Sequence, residues 1–149
     1  MMSSVTEITV RYAETDAMGV VHHATYPIWF EIARTDYIKK IGLSYAEMER
    51  GGVMLPVTAI TVKYHQPARY DDRLTVTASI TRLTPARVEF EYKLTRDGEL
   101  LTEGTSSHAF VSSRTFKPLN FKAAMPDFFE TLTREALIDE EQRCKKKIF

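Results

Sequence analysis

Four runs between residues 57 and 112 alternate apolar and polar side chains, and a helix-period segment stands ahead of them. RLTVTASITRL sets Leu74, Val76, Ala78 and Ile80 against Thr75, Thr77, Ser79 and Thr81, the period-two pattern of a strand with one buried face. Thr84-Pro85 turns the chain, and ARVEFEYKL repeats the pattern through Val88, Phe90, Tyr92 and Leu94. Asp97-Gly98 is a hairpin signal leading into LLTEGTSSHAFVSS, where Gly104 predicts a bulge. LPVTAITVKY is less one-sided, with Val57 and Ala59 opposite Ile60, Val62 and Tyr64. Such a meander has an apolar face that needs a cover.

The cover is written ahead of it. From Tyr26 the period lengthens, with Trp29, Phe30, Ala33, Tyr37 and Ile41 at three- and four-residue spacing and Glu31, Arg34, Thr35 and Lys39 on another face. Pro27 fits a first helical turn and Gly42 an end, with Thr25 or His23 near the cap. Ile28, Trp29, Phe30, Ile32 and Ala33 make the first half apolar around most of its circumference, so it is expected to be wrapped on several sides. A sheet needing a cover and a helix needing burial define an α+β domain in which an antiparallel β-sheet wraps a central α-helix.

The remaining elements fit around that pair. VTEITVRY reads as a first strand ended by Tyr12, SYAEMER as a short helix closed by Gly51-Gly52, and PDFFETLTREALIDEEQRC as a helical extension over about 126–143. Residues 145–149 are expected to fray. The 149 residues make one domain, 1–149, with its core over about 5–120.

Twenty Lys and Arg balance twenty Asp and Glu, so no global field draws the chain to nucleic acid. No apolar run approaches the roughly 20 residues that cross a bilayer, and the N-terminus has no leader-like pattern. The single cysteine, Cys144, excludes an intrachain disulfide framework, and cytoplasmic residence is the expectation.

The chemistry concentrates in YAETDAMGVVHHATY, residues 12–26. The chain has no GxSxG elbow, Walker loop or paired cysteines. His22 and His23 are adjacent, so their side chains are expected to diverge rather than share a metal, and no metal site is expected. Asp16 precedes Gly19 and then a helix start, whose free N–H groups carry partial positive charge. A carbonyl oxygen against the N–H groups around His23 and Ala24 would be stabilised as in an oxyanion hole, with Asp16 attacking or activating water. The same residues also suit a plain polar turn in which Asp16 or Glu14 caps the backbone. The residues alone leave both readings open.

The run T-D-A-M-G-V-V-H-H-A-T-Y, followed by the helix E-I-A-R, resembles the signature of the bacterial acyl-CoA thioesterases of the hotdog fold. These form the 4-hydroxybenzoyl-CoA thioesterase-like superfamily, and the resemblance is strongest to the group associated with the Tol–Pal gene cluster. It extends in element order over roughly residues 5–120. It implies that Asp16 is the essential carboxylate, as nucleophile or general base, and that the backbone N–H at His23 polarises the thioester carbonyl. Tyr12 matches a tyrosine that helps orient the site. His22 departs from the tyrosine usual in that group and Met18 from a small residue, so acyl preference is not inherited.

Glu31 corresponds to the place of a catalytic acid in other hotdog branches, but its spacing to Arg34 and Thr35 is that of an ordinary helical polar pair. Thr61, Lys63 and Tyr64 are candidates to line a substrate tunnel, and Arg87 and Lys117 to meet the phosphates of coenzyme A. Coenzyme A enters only as part of the substrate, with no separate cofactor. An acyl carrier protein is an alternative carrier, and a homodimer or homotetramer is expected. The rival readings are a hotdog hydroxyacyl-thioester dehydratase and a non-catalytic protein binding acyl thioesters or acyl carrier protein.

Overall fold

The computed structural model describes residues 4–148. Met1–Ser3 and Phe149 lie outside that range; of the fraying expected over residues 145–149, the part at Phe149 falls outside the described residues, and residues 145–148 continue the last helix instead. Strand β1 (Ser4–Thr9) leads through a short 3-10 turn (Tyr12–Glu14) and a second (His23–Thr25) into α1 (Tyr26–Lys40). After α2 (Tyr45–Arg50) come β2 (Val53–Met54), β3 (Val57–Tyr64), β4 (Arg73–Leu83), β5 (Arg87–Arg96), β6 (Glu99–Ala109) and β7 (Val111–Ser112). Helices α3 (Phe121–Ala124) and α4 (Pro126–Ile148) end the chain.

The five long strands form an antiparallel sheet in the order β1-β4-β5-β6-β3, and β2 pairs with β7. Leu74, Val76, Ala78 and Ile80 of β4 and Val88, Phe90, Tyr92 and Leu94 of β5 are buried, as their alternation predicted. Asp97 and Gly98 both take positive φ (50° and 81°), which a tight hairpin of the right twist requires. α1 lies on that apolar face with Trp29, Phe30, Ala33 and Tyr37 at most 1 % exposed. Phe30 stacks on Tyr92 with ring centroids 4.5 Å apart. This is the hotdog arrangement of sheet and central helix.

Several expectations are corrected. β1 stops at Thr9, and Tyr12 opens the 3-10 turn instead of ending the strand. Gly104 marks no bulge: it pairs in register with Tyr92 and Val62, and the β5–β6 shift falls between Leu94 and Thr95. Its role is clearance, since a Cβ there would meet Phe30 Cε2 at 2.5 Å and the Thr61 carbonyl at 2.5 Å. The helix is not wrapped all round, because Ile28 and Ile32 remain 57 % and 46 % exposed. Arg34 leaves the polar face and is buried, donating to the Tyr92 hydroxyl at 3.1 Å. That hydroxyl adjoins Ser106 Oγ (2.5 Å), which contacts His108 Nε2 (2.8 Å), so the helix cation is anchored in a polar chain across the sheet.

α4 is longer than the expected 126–143 and performs an edge function. β1 pairs with β4 only as far as Ala78. Beyond it, Ile80 N–H donates to the Asp139 carboxylate (2.8 Å) and the Ile80 carbonyl accepts from Arg143 (2.7 Å), both from α4. The helix thus satisfies backbone groups that the end of β1 leaves open.

Candidate active site

The loop between β1 and α1 is a small hairpin built around Asp16. Asp16 N–H donates to the Val20 carbonyl (2.9 Å), its carbonyl accepts from Gly19 N–H (3.0 Å), and Thr15 bridges Val21. Gly19 has φ 78°, a conformation that a side chain would strain. Asp16 Oδ1 accepts from Met18 N–H at 2.9 Å. One carboxylate oxygen is therefore held, and the other has no protein partner among the described residues.

Glu14 fixes this hairpin to the rest of the fold. Its carboxylate accepts from Arg11 N–H (2.7 Å) and from the Trp29 indole N–H (3.0 Å), and its carbonyl accepts from His22 N–H (2.9 Å). Val21 N–H reaches the Ala68 carbonyl at 2.9 Å on the other side. The loop is thus tied both to the central helix and to the segment after β3.

The second half of the site is the start of α1. Ala24 N–H donates to His22 Nδ1 at 3.0 Å and Thr25 N–H to the His22 carbonyl at 3.0 Å, so of the two amides expected to bind a carbonyl oxygen, that of Ala24 is occupied. His23 N–H has no partner among the described residues. The two histidine rings do not diverge as a strand or regular helix would make them: they stack at 4.1 Å, because His22 is extended (φ −61°, ψ 136°) and His23 begins a 3-10 turn.

Asp16 and His23 line one cleft of ≈ 300 Å³, together with Met18, Tyr26, Tyr64 and Pro67. Tyr26 and Tyr64 meet edge to face at 5.2 Å. Burial raises both phenols above the ordinary tyrosine range, so they stand as neutral donors and flat apolar walls. His65 also reaches the cleft and lies 3.4 Å from Glu103. A larger groove of ≈ 550 Å³ runs between β1 and α1. Glu31 lines that groove instead of the cleft, and its Asp36 is already engaged by Thr6 (2.6 Å) and Lys40 (3.0 Å).

Of the other predicted site residues, only Tyr64 joins Asp16 and His23. Tyr12 is 77 % exposed with its ring edge-on to Tyr70 at 5.6 Å, and it is not among the cleft residues. Thr61 and Lys63 alternate with Tyr64 and face the opposite side of the sheet, where Thr61 meets Thr105 at 2.5 Å. Arg87 pairs opposite Ala109, whereas Tyr64 pairs opposite Thr102. Those positions lie seven steps apart along β6, about 23 Å of strand. Lys117 accompanies Arg87 at that far end, its carbonyl accepting from Ser112 N–H at 2.8 Å. Within one chain neither cation reaches the cleft. The capping expected of Asp16 or Glu14 is present in both, at Met18 N–H and Arg11 N–H; sequence reasoning missed the bond from Glu14 to Trp29 and His22 as a cap, although a His next to the helix start is visible in the run.

The thioesterase-like superfamily model matches residues 10–133. The chain belongs to that superfamily and is a thioester hydrolase of hotdog fold. Among its relatives, YneP of Bacillus subtilis, provisionally named an acyl-CoA thioesterase, is 42% identical over 82% of this chain and 89% of its own length. The acyl-CoA thioesterase YbgC of Haemophilus influenzae is 31% identical, covering 84% and 93%. Among solved structures, the DHNA-CoA thioesterase of Staphylococcus aureus superposes with a TM-score of 0.90 at 38% identity, covering 95% of this chain and 96% of that one.

Proposed function

We propose that the protein hydrolyses an acyl-CoA thioester to the free acid and coenzyme A in the Asp16–His23 cleft. The observation that carries this reading is the pairing, in one cleft, of a carboxylate with one uncommitted oxygen and a backbone N–H without a protein partner. The thioester oxygen accepts from His23 N–H, which stabilises the charge of the tetrahedral intermediate. Asp16 either attacks the carbonyl carbon or takes a proton from the attacking water, and the intermediate then expels the coenzyme A thiolate. Tyr12, outside the cleft with its ring against Tyr70, orients the loop from there. Single turnover in ¹⁸O-water identifies the nucleophilic route when water opens the mixed anhydride at the Asp16 carbonyl, because label then enters the Asp16 carboxylate, which the general-base route never labels.

An aromatic acyl group suits the flat walls of Tyr26 and Tyr64, and the likeness to the S. aureus DHNA-CoA thioesterase supports that choice. A second copy of the chain completes the reading. β3 is a free edge with Val57 and Ile60 45 % and 42 % exposed, and two β3 strands paired antiparallel about a two-fold axis extend the sheet. That pairing brings Arg87 and Lys117 of one chain towards the cleft of the other, where they meet the phosphates of coenzyme A. The reaction belongs in the cytoplasm, with acyl carrier protein as the competing carrier.

The test is thiol release from short, long and aromatic acyl-CoAs by wild type and Asp16→Ala. The expected loss in the variant is about a hundredfold or more. Unchanged turnover removes Asp16 from the mechanism; no thiol release from any substrate favours a binding protein, and dehydration of a hydroxyacyl-CoA favours the dehydratase.

A further inference from the structure

The peptide unit between His23 and Ala24 is held at both ends. Its carbonyl accepts from the Tyr64 hydroxyl at 2.8 Å, and its N–H donates to His22 Nδ1 at 3.0 Å. Both bonds answer a local need. In a regular helix the His23 carbonyl would accept from the N–H four residues on, but that residue is Pro27, which has none. The Ala24 N–H belongs to the first turn, whose donors have no partners within the helix. Tyr64, 41 residues away on β3, supplies the missing donor, and His22 supplies an acceptor as an N-cap side chain.

We infer that His22 and Tyr64 are positioning residues that clamp this peptide and thereby fix the adjoining His23 N–H against the thioester carbonyl. The inference rests on the thioesterase reading of the cleft. Neither side chain is asked to touch the reacting atoms. Clamping the 23–24 peptide from both sides fixes the backbone of His23, and an oxyanion donor is effective only when its direction is set before the charge develops.

The His22 half of the clamp depends on protonation. Nδ1 accepts from Ala24 only while it carries no proton; a protonated imidazole has two donors and no acceptor. Protonation therefore releases the Ala24 N–H and places a cation against the stacked His23 ring, 4.1 Å away. The other ionisable groups around this turn are Asp16 and Glu14 of the hairpin and Arg11, with Tyr64 and His65 from the end of β3. Glu14 is committed to Arg11 and Trp29, and of the two clamping side chains Tyr64 must keep its proton while His22 Nδ1 must lack one.

The experiment compares wild type with His22→Ala, His22→Asn and Tyr64→Phe. Asparagine is a strong N-cap whose side-chain oxygen accepts in place of Nδ1. The expected result is a fall in kcat of about ten- to a hundredfold for His22→Ala and Tyr64→Phe, with KM changed far less, because the lost interaction matters most in the transition state. His22→Asn recovers most of kcat. The Ala24 amide provides a readout independent of turnover: its hydrogen exchange is slow in the wild type and in His22→Asn, and faster in His22→Ala. Wild-type turnover by His22→Ala, or His22→Asn as impaired as His22→Ala, overturns the clamp while leaving the Asp16 mechanism standing. An Ala24 amide indifferent to His22 overturns it whether or not any acyl-CoA is hydrolysed.

Discussion

Trp29 donates its indole N–H to the Glu14 carboxylate at 3.0 Å, inside the fold, and the hairpin that carries Asp16 is thereby fastened to the central helix. Glu14 is only 9 % exposed, so removing its carboxylate leaves the Trp29 and Arg11 N–H groups without acceptors. Glu14→Ala is expected to lose about 2–4 kcal/mol of stability. Trp29 is the only tryptophan, so urea unfolding followed by its fluorescence reads the change directly. A midpoint equal to that of wild type would show that the bond contributes nothing.

Asp139 joins three elements with one carboxylate. It accepts from Tyr37 of α1 at 2.6 Å and from Ile80 of β4 at 2.8 Å, while itself belonging to α4. Burial raises its pKa, and burial with the adjacent carboxylate pushes the Tyr37 phenol well above its usual range, so Tyr37 acts as donor throughout. Asp139→Ala strands both donors and is expected to cost about 2–4 kcal/mol, whereas Asp139→Asn keeps an acceptor and costs less. Thermal unfolding of the two variants checks the order; equal losses would mean that packing, not hydrogen bonding, holds α4.

His108 gives the stability a pH dependence of definite sign. Burial, together with the nearby Arg34 cation, lowers its pKa from 6.5 to about 4. The unfolded chain therefore takes up this proton before the folded one does. Its contribution is intact above pH 6.5 and is lost as pH falls towards 4, by about 3 kcal/mol over that window. The measurement is the difference in unfolding free energy between wild type and His108→Gln from pH 7 to 4. A difference that stays constant across the window would refute the assignment.

What could be read from the sequence was what local periodicity controls. Phe90 and Val76 declared their faces because a strand buried on one side shows its period directly, and Asp16 and His23 could be associated because a single hairpin separates them. Arg34 could not be read in the same way. Its place on a polar stripe is a helix property, but its inward turn depends on Tyr92, 58 residues away, and on the polar chain behind it. The same applies to Tyr64, whose bond to His23 exists only because β3 ends beside the start of α1. Thr61, Lys63, Arg87 and Lys117 were placed by chemical type; the pleat of β3 and the length of β6 then put them elsewhere in the single chain. His22 was visible as a departure from a familiar pattern, yet its hydrogen bond required the backbone to be seen.

Gly104 tests how closely the helix and sheet must approach. A methyl group there would press on the Phe30 ring and on the Thr61 carbonyl, each at 2.5 Å, and β3 cannot withdraw without loosening its pairing with β6. Gly104→Ala is therefore expected to destabilise the fold by about 1–3 kcal/mol despite the better intrinsic properties of alanine in a strand. The strain has a functional consequence as well. Displacing β3 moves Tyr64 away from the His23 carbonyl, so the variant should lose turnover under conditions in which it remains folded. Urea midpoints and thiol-release rates measured on the same sample decide this, and a variant as stable and as active as wild type would show that the ring and strand yield without cost.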